Sequence, residues 1–358
     1  MVRKMTDKLL QVLVDFKTPL DRKGNNIGEF LTDLYSRYLD ELRNFSGAEN
    51  NPTLGQKTCE LVSKKISEID SLCNAIASAI RSYETGNISE GRQILFAALD
   101  AIKNDLSVQY TGAHRWECYY RIRSREAETD FNLERKELFH IPYDKREYAS
   151  SERFSVAGYP CLYLSSQYEI CWCECHKPKK FALAAFEVPQ TRDDMAKMVD
   201  IGEAMIPLAH SFFCWFYNER NSESELEKIR AYLVKQLVTY PLRAACSIMV
   251  RDRGAAGKPE YIIPQMLMQW LQQDDEFDGV RYETAVDYSE MRFAGGHNLA
   301  FVTKDFDSEG YAQELRKRIK VGTPIWVKLD EVKVFEDRNP EDNPYLWLLD
   351  IPTDFETI

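Results

Sequence analysis

The stretch "RFSVAGYPCLYLSSQYEICWCECHKP", residues 153–178, contains a turn, a strand-like run and a cysteine cluster within one short segment. Gly158, Tyr159 and Pro160 are typical of a turn, and the run from Cys161 to Leu164 favours a β-strand directly after it. This part of the chain is therefore expected to contain β-structure, in contrast to the residues before about 112.

Strand-like and helix-like segments alternate unevenly on both sides of this stretch. Runs rich in β-formers predict further strands at 116–123, 181–188, 244–252, 279–284, 298–303 and 324–336. Helical patterns occupy about 203–240, and Pro264 near the start of "IIPQMLMQWLQQ" suits the first turn of another helix. Short strands interleaved with helices of uneven length favour an α+β fold over a regular doubly wound sheet.

The first 112 residues have a helical pattern throughout. Apolar residues recur between 59 and 80 at alternating steps of three and four, as on one helix face: Cys59, Val62, Ile66, Ile69, Cys73, Ile76 and Ile80. Gly86 suits a C-terminal cap, and Asn87 with Glu90 predicts a capping box for the next helix. We expect an antiparallel helical hairpin inside an all-helical domain, 1–112, followed by a second domain, 113–358. Core packing explains the apolar seam, and a homo-oligomer formed through these helices is the alternative.

Composition disfavours several classes of function. The 358 residues carry a net charge of −11, with basic residues scattered among acidic ones, whereas nucleic-acid binders usually show a basic stripe. No apolar run approaches the roughly 18–20 residues that a membrane span needs. Asp7 and Asp15 interrupt the apolar start of the chain, which argues against a signal peptide. We expect a cytoplasmic protein with nine reduced cysteines and with neither a nucleic-acid nor a membrane partner.

The cysteine cluster lacks the spacing of a zinc site. Structural zinc sites use two pairs of Cys or His ligands separated by a loop. Here Cys171, Cys173 and Cys175 alternate, and no second pair with zinc spacing occurs in the sequence. On a helix, Cys171 and Cys175 would share one face. We interpret the three cysteines as small apolar packing residues and predict no metal.

Arg135 and His140 have the Arg-x4-His spacing of some small helical ribonucleases. Pro142 follows two residues later and biases Ile141 away from helical geometry. Because the acidic chain also disfavours RNA, we do not expect ribonuclease chemistry.

Glu174 is the residue of this stretch that packing alone does not explain. It lies in an otherwise apolar, cysteine-rich run, and carboxylates are rarely buried unless they are paired. Arg153 could supply the partner, and Tyr163 lies between the two in sequence. The residues alone leave two interpretations open: a buried ion pair, or a site made of a cation, an aromatic ring and a carboxylate.

Several blocks of the chain resemble the RES domain family, which is named for its arginine, glutamate and serine. The blocks span about residues 115–305 and read "YYRIR", "LFHIPYDKREYASSERFSVAGYPCLYLSSQYEICWCE", "PEYIIPQMLMQWL", "FDGVRYET" and "NLAFVTKD". The steps of 10 and 11 residues from Arg153 to Tyr163 and on to Glu174 agree with the family's pattern. RES domains resemble ADP-ribosyltransferases in fold, and known members are toxins of bacterial toxin–antitoxin pairs that destroy NAD⁺.

The resemblance implies a role for each matching residue. Arg153 would hold a phosphate of NAD⁺, and Arg121, which matches an earlier family arginine, would be a second anion contact. Tyr163 would pack on the nicotinamide or its ribose, and Glu174 would bind the ribose hydroxyls. NAD⁺ would be the substrate of a glycohydrolase or phosphorylase that needs no cofactor. The alternatives are a protein ADP-ribosyltransferase and a degenerate RES fold that acts as a binding module.

The family's serine is the signature residue that this sequence lacks. Thr284 in "RYET" lies roughly at the expected place and keeps a hydroxyl, whereas Ser289 is the nearest serine, five residues on. Asn298 in "GGHNLAF" fits a further family block. We take these three residues as candidates for substrate binding. The resemblance also implies an antitoxin or immunity protein as a partner, or self-inhibition by the helical domain.

Overall fold

The computed structural model describes residues 8–46, 55–107, 116–124, 133–189, 196–216, 221–252, 254–286, 296–329 and 349–358. The chain forms two compact units. The first unit combines Met1–Gln109 with Val199–Trp270, and the second combines Tyr110–Met198 with Leu271–Ile358. The sequence-based division into 1–112 and 113–358 differs from this arrangement, because it grouped residues 199–270 with the second domain.

Helices and strands are both well represented in the described part of the chain, as expected for the α+β class. The α-helices there are α1 (Lys8–Asp15), α2 (Ile27–Ser46), α3 (Gly55–Glu84), α4 (Ile88–Ala101), α5 (Lys103–Leu106), α6 (Tyr168–Glu174), α7 (Met205–Phe216), α8 (Glu223–Cys246), α9 (Ile262–Gln273) and α10 (Gln313–Arg318). The strands are β1 (Trp116–Ser124), β2 (Leu162–Ser165), β3 (Lys180–Pro189), β4 (Met198–Ile201), β5 (Gly279–Glu283), β6 (His297–Phe301), β7 (Lys320–Val321) and β8 (Ile325–Lys328). Short 3₁₀ turns occupy Arg135–Leu138, Tyr143–Tyr148 and Pro259–Tyr261. No helix of the described residues combines the length and the apolar character needed to cross a membrane.

Helix α3 confirms the helix predicted from the seam at 59–80. Six of the seven seam residues are buried and Ile66 is half-buried, so the chain's own helices cover this face. Gly86 has φ +86° and donates its N–H to Tyr83 O, while Asn87 N donates to Ser82 O, which together form a Schellman cap. The predicted capping box is wrong: Asn87 makes no side-chain cap and instead donates from Nδ2 to Glu90 Oε2 at 2.6 Å.

Helix α8 explains why residues beyond 199 pack with the N-terminal helices. Pro241 lies inside α8 and has no N–H to give to the carbonyl four residues earlier, Leu237 O. The hydroxyl of Tyr38 on α2 donates to that carbonyl at 2.8 Å, and the hydroxyl of Tyr35 donates to Pro241 O at 2.8 Å. Both tyrosines are buried. The N-terminal helices therefore satisfy a backbone group that the proline leaves without its helical partner.

The strand predicted at 244–252 is wrong, because residues 244–246 are the last turn of α8. All three are buried, and a short buried apolar run has the same pattern in a helix as in a strand. The strands predicted at 116–123, 181–188, 279–284 and 298–303 are confirmed as β1, β3, β5 and β6. Of the segment 324–336, the structure describes residues 324–329, and β8 lies within them.

The sheet of the second unit has the order β5–β6–β2–β1–β3–β7, and β8 also pairs with β3. These strands pair in an antiparallel manner. Their register sets Tyr282 opposite Asn298, Asn298 opposite Ser165, and Ser165 opposite Tyr120. Directly paired residues of a sheet point to the same face. The four residues therefore form one row across four strands.

Candidate active site

Glu174 is the last residue of the short helix α6, which lies against β1. On the shared face of this helix, Cys171 Sγ is 3.2 Å from Tyr120 O and Cys175 Sγ is 4.0 Å from Ile122 O. Cys171 and Cys173 are buried in an apolar cluster, which confirms their interpretation as packing residues. The described residues contain no group of three or more His, Cys, Asp or Glu side chains that could hold a metal ion. The cysteines thus fix α6 on the sheet and leave Glu174 at its end.

Two buried donors hold one oxygen of the Glu174 carboxylate. Thr284 Oγ1, just after β5, donates to Glu174 Oε1 at 2.8 Å, and Asn298 Nδ2 on β6 donates to the same oxygen at 2.7 Å. Thr284 and Asn298 are both buried, whereas the Glu174 side chain is exposed. The structure thus brings together three of the candidate residues named from the sequence. It places Thr284 and Asn298 on the glutamate itself.

The second carboxylate oxygen, Glu174 Oε2, accepts no hydrogen bond from the described residues. The amide of Asn298 is oriented by its donation to Glu174, which leaves Asn298 Oδ1 buried without a partner in the described part of the chain. A reversed amide would place two acceptor oxygens against each other. One carboxylate oxygen is therefore fixed by protein donors, and the other is available to a ligand that donates a hydrogen bond.

The electrostatics of Glu174 balance opposing effects. Burial among protein atoms raises the pKa of Glu174, while the hydrogen bond from Thr284, the charge of Arg153 and the hydrogen bond from Asn298 lower it. The net shift of the pKa is upward. The protein atoms around Glu174 disfavour its charged form. The residue is nevertheless exposed, so the site is open to solvent.

Arg153 lies in a tight turn, Glu152–Ser155, which we call the Arg153 turn. Its ends pair with each other, because Glu152 N donates to Ser155 O at 2.9 Å and Ser155 N donates to Glu152 O at 3.3 Å. The hydroxyl of Tyr163 accepts from Phe154 N at 3.1 Å and donates to Ser155 Oγ at 3.2 Å. Tyr163 thereby holds the Arg153 turn through Phe154 and Ser155, the two residues that follow Arg153. This contact differs from the ring packing on a substrate that the family resemblance implies.

Replacing Tyr163 by phenylalanine tests this contact. The change keeps the ring and removes both hydrogen bonds to the Arg153 turn, each of which contributes about 1 kcal/mol. If NAD⁺ is the substrate, we expect KM for NAD⁺ to rise about 5- to 10-fold with a smaller change in kcat, because Arg153 loses its fixed position. Steady-state kinetics measure both constants, and Tyr83→Phe on α3 is the matched control. An unchanged KM would contradict the positioning role and favour ring packing.

Tyr282 is a member of the site that the sequence analysis missed. It lies on β5, two residues before Thr284, and its ring packs on Phe154 of the Arg153 turn with centroids 4.5 Å apart. Burial raises the pKa of Tyr282, and the charge of Glu174 raises it further. The alternation of side chains along a strand was the available signal, since it places residue 282 on the same side as residue 284.

The other two candidates have different positions. Arg121 on β1 is paired with Ala184 and so alternates with Tyr120, whose row contains Asn298. Arg121 Nη1 is buried without a hydrogen-bond partner in the described part of the chain, and no ion pair there joins Arg121 to Glu174. Burial lowers the pKa of Arg121, with the charge of Arg123 as a second cause. Ser289 lies outside the described residues.

Arg135 and His140 do not meet in the structure. Arg135 donates to Val321 O at 2.9 Å and to Asp354 Oδ2 at 2.9 Å. His140 is buried; its Nε2 accepts from Ala312 N at 3.0 Å, and its Nδ1 lies 2.8 Å from Ile141 O. Both side chains therefore stabilise the fold through contacts with other segments of the chain. They do not form a catalytic pair.

His140 predicts a loss of stability in mild acid. Burial lowers the pKa of His140 to about 4, against about 6.5 in an unfolded chain. The unfolded state therefore takes up a proton first, and the free energy of unfolding should fall by up to about 3 kcal/mol between pH 6.5 and pH 4. Urea unfolding of the wild type and of His140→Gln at several pH values measures this. The variant should lose that part of the pH dependence, and an identical pH dependence in both proteins would contradict the assignment.

The fold and the site define a mixed α/β protein in which a carboxylate is held by two donors, one on β6 and one just after β5, of an antiparallel sheet. A protein of Bacillus subtilis (strain 168) named "Putative toxin YopC" is 26% identical to this chain over 360 residues, which cover 94% of this chain and 75% of that protein. This similarity suggests a toxin family. No family model matches the chain, and no solved structure matches it significantly.

Proposed function

We propose that this chain is a toxin that consumes NAD⁺ by cleaving the bond between nicotinamide and ribose, with a RES-like fold related to ADP-ribosyltransferases. The observation that carries the proposal is the state of Glu174. One of its oxygens is held by Thr284 and Asn298, the other is open, and the charge of Arg153 acts on the carboxylate. A vicinal diol such as that of ribose donates the kind of hydrogen bond that the open oxygen accepts.

The chemistry of the proposed reaction suits such a site. The bond from ribose C1′ to the nicotinamide nitrogen breaks, and its electron pair goes to that nitrogen, so that nicotinamide leaves as a neutral molecule. The sugar becomes oxocarbenium-like, and a carboxylate near it stabilises the developing positive charge. Water or phosphate then bonds to C1′, and the nucleophile's proton passes to solvent. The leaving group is already cationic before cleavage, so the reaction needs no strong general acid.

Three other side chains take supporting roles in this proposal. Arg153 binds a phosphate of NAD⁺, for which a planar guanidinium with two parallel donors is well suited. Tyr163 fixes the turn that carries Arg153. Thr284 takes the place of the family's serine as a hydroxyl that donates to the glutamate. These residues all belong to the second unit of the chain.

The toxin assignment draws on the name of the Bacillus subtilis relative and on the consequence of the chemistry. A cell that makes an enzyme of this kind loses NAD⁺ unless the enzyme is kept silent. We therefore propose a control element, either an antitoxin or immunity protein or the first, helical unit of the chain itself.

The decisive experiment is the release of nicotinamide from NAD⁺ by the purified full-length chain. The reaction is run with and without phosphate, and with and without cell lysate, and its products are separated by chromatography. Free ADP-ribose would identify a glycohydrolase, and ADP-ribose 1″-phosphate a phosphorylase. Release only with lysate, together with labelled protein, would identify a protein ADP-ribosyltransferase instead. The absence of release under all conditions would contradict the proposal and favour a binding module.

A further inference from the structure

A second carboxylate, that of Glu152, lies at the start of the Arg153 turn. Glu152 and Ser155 are paired directly through their backbone N–H and C=O groups, and directly paired residues point to the same side. The Ser155 hydroxyl accepts from the hydroxyl of Tyr163 at 3.2 Å, so that side is the one next to Tyr163. The Glu152 side chain therefore points to the same side as Tyr163, and since Glu152 is exposed, it also reaches solvent.

The Arg153 turn and Glu174 lie over the same face of the sheet. Tyr163 on β2 is paired with Ala300 on β6, two residues after Asn298, so Tyr163 and Asn298 share a face. Tyr282, whose ring packs on the turn, is paired directly with Asn298. Asn298 itself donates to Glu174 Oε1 at 2.7 Å. The residues that hold the turn are thus the sheet neighbours of the residue that holds Glu174.

The electrostatics of the site agree with this placement. Burial is the largest cause of the raised pKa of Tyr163 and of Glu174, and the charge of Glu152 raises the pKa of both further. The charged side chains that act on the pKa of Glu174 are Arg153, which lowers it, and Glu152, which raises it. Two carboxylates and one guanidinium therefore form a single cluster on this face of the sheet.

We propose that Glu152 is the general base of the reaction and takes the proton of the water molecule that bonds to ribose C1′. This inference rests on the proposed function and adds a catalytic residue to it. Glu174 is engaged otherwise in that scheme, because its Oε1 is held by two protein donors and its Oε2 accepts from the ribose hydroxyls. Glycoside hydrolysis likewise divides its work between two carboxylates, one beside the sugar cation and one at the nucleophile.

The bonds and protons of this step balance. The bond from C1′ to the nicotinamide nitrogen breaks, and its electron pair goes to that nitrogen. A lone pair of the water oxygen forms the new bond to C1′. One proton of that water passes to the Glu152 carboxylate and from there to solvent, to which Glu152 is exposed. The products are nicotinamide and ADP-ribose.

Glu152→Gln tests the inference, because glutamine keeps an oxygen that can accept from Ser150 Oγ, as Glu152 Oε1 does at 2.8 Å, but is not basic. In buffer without phosphate, we expect kcat for nicotinamide release to fall about 100-fold. A purely electrostatic role predicts an unchanged or higher kcat instead, because the charge of Glu152 disfavours ionised Glu174. Since backbone groups close the turn, the melting temperature should stay that of the wild type. Glu147→Gln, at an exposed glutamate shortly before the turn, is the control and should keep wild-type kcat.

Azide distinguishes a general base from a residue that only shapes the site. It is an anionic nucleophile with no proton to lose, so sodium azide should raise nicotinamide release by Glu152→Gln at least about 10-fold and yield ADP-ribosyl azide, which mass spectrometry identifies. Azide should not rescue Glu174→Gln, which lacks the charge that stabilises the sugar cation.

The outcomes for the inference and for the proposed function are distinguishable. Unchanged kcat in Glu152→Gln, or a loss that azide does not repair, would overturn the role of Glu152 and leave the proposed function in place as long as the wild type releases nicotinamide. A wild type that releases no nicotinamide would overturn the proposed function, and the inference would fail with it.

Discussion

Replacing Glu174 by glutamine is expected to reduce nicotinamide release at least about 100-fold while leaving the fold intact. Glutamine has nearly the same shape, and its oxygen can still accept from Thr284 and Asn298. That orientation turns its NH₂ group toward the position of Oε2, so an acceptor becomes a donor. The negative charge that would stabilise the sugar cation is also lost. Single-turnover kinetics with NAD⁺ measure the effect on the chemical step.

The stability of the same variant provides an independent check. Burial raises the pKa of Glu174, which means that the protein surroundings disfavour the charged form. Removal of the charge should therefore leave the melting temperature unchanged or raise it. Glu169→Gln on the same helix is the matched control and should keep wild-type activity. Wild-type turnover in Glu174→Gln would show that Glu174 has no catalytic role. A large drop in the melting temperature would show that the fold depends on the Glu174 charge, and the loss of activity would then not be evidence of a catalytic role.

Replacing Asn298 by aspartate is expected to produce the second large effect, about a 100-fold loss of activity at neutral pH. The substitution puts a second carboxylate where Nδ2 now lies 2.7 Å from Glu174 Oε1. Two carboxylates at this distance cannot both ionise, so the pair retains a proton to higher pH. Because the proposed reaction would need ionised Glu174, the acidic limb of the pH profile of kcat/KM should move to higher pH and part of the activity should return in alkali.

Thr284→Val is the comparison for that experiment. It removes a neutral donor without adding a charge, and the hydrogen bond from Thr284 lowers the pKa of Glu174. Its loss should therefore raise that pKa and move the acidic limb in the same direction, with a smaller loss of about 10-fold. An acidic limb that stays in place in both variants would show that Glu174 does not control the pH dependence.

The sequence indicates which residues form the candidate site, but it does not indicate which of them contact each other. The sequence points to Glu174, because a carboxylate in a cysteine-rich apolar run needs a partner. It offers Arg153 as that partner, whereas the hydrogen bonds to Glu174 come from Thr284 and Asn298, which lie 110 and 124 positions away in the chain. Such contacts depend on strand register, and register is set by packing across the whole sheet.

The domain division shows the same limit in a second place. A change from helical to strand-like pattern marked the end of the N-terminal helices near residue 112. Residues 199–270 belong to the same unit as those helices, but no comparable change of sequence pattern occurs near residue 199. Its cause is specific: Tyr38 satisfies a carbonyl that Pro241 cannot, and only the packing of α2 on α8 brings these two residues together.

By itself, the sequence determined the types of most secondary-structure elements, the apolar face of α3 and the chemical character of residues 153–178, since these depend on local spacing and side-chain type. Only the tertiary structure decided which oxygen of Glu174 is occupied and which residues of the Arg153 turn the Tyr163 hydroxyl binds. The physical reason is that hydrogen bonds act over about 3 Å. Residues far apart in the sequence come within that distance only when the backbone is folded.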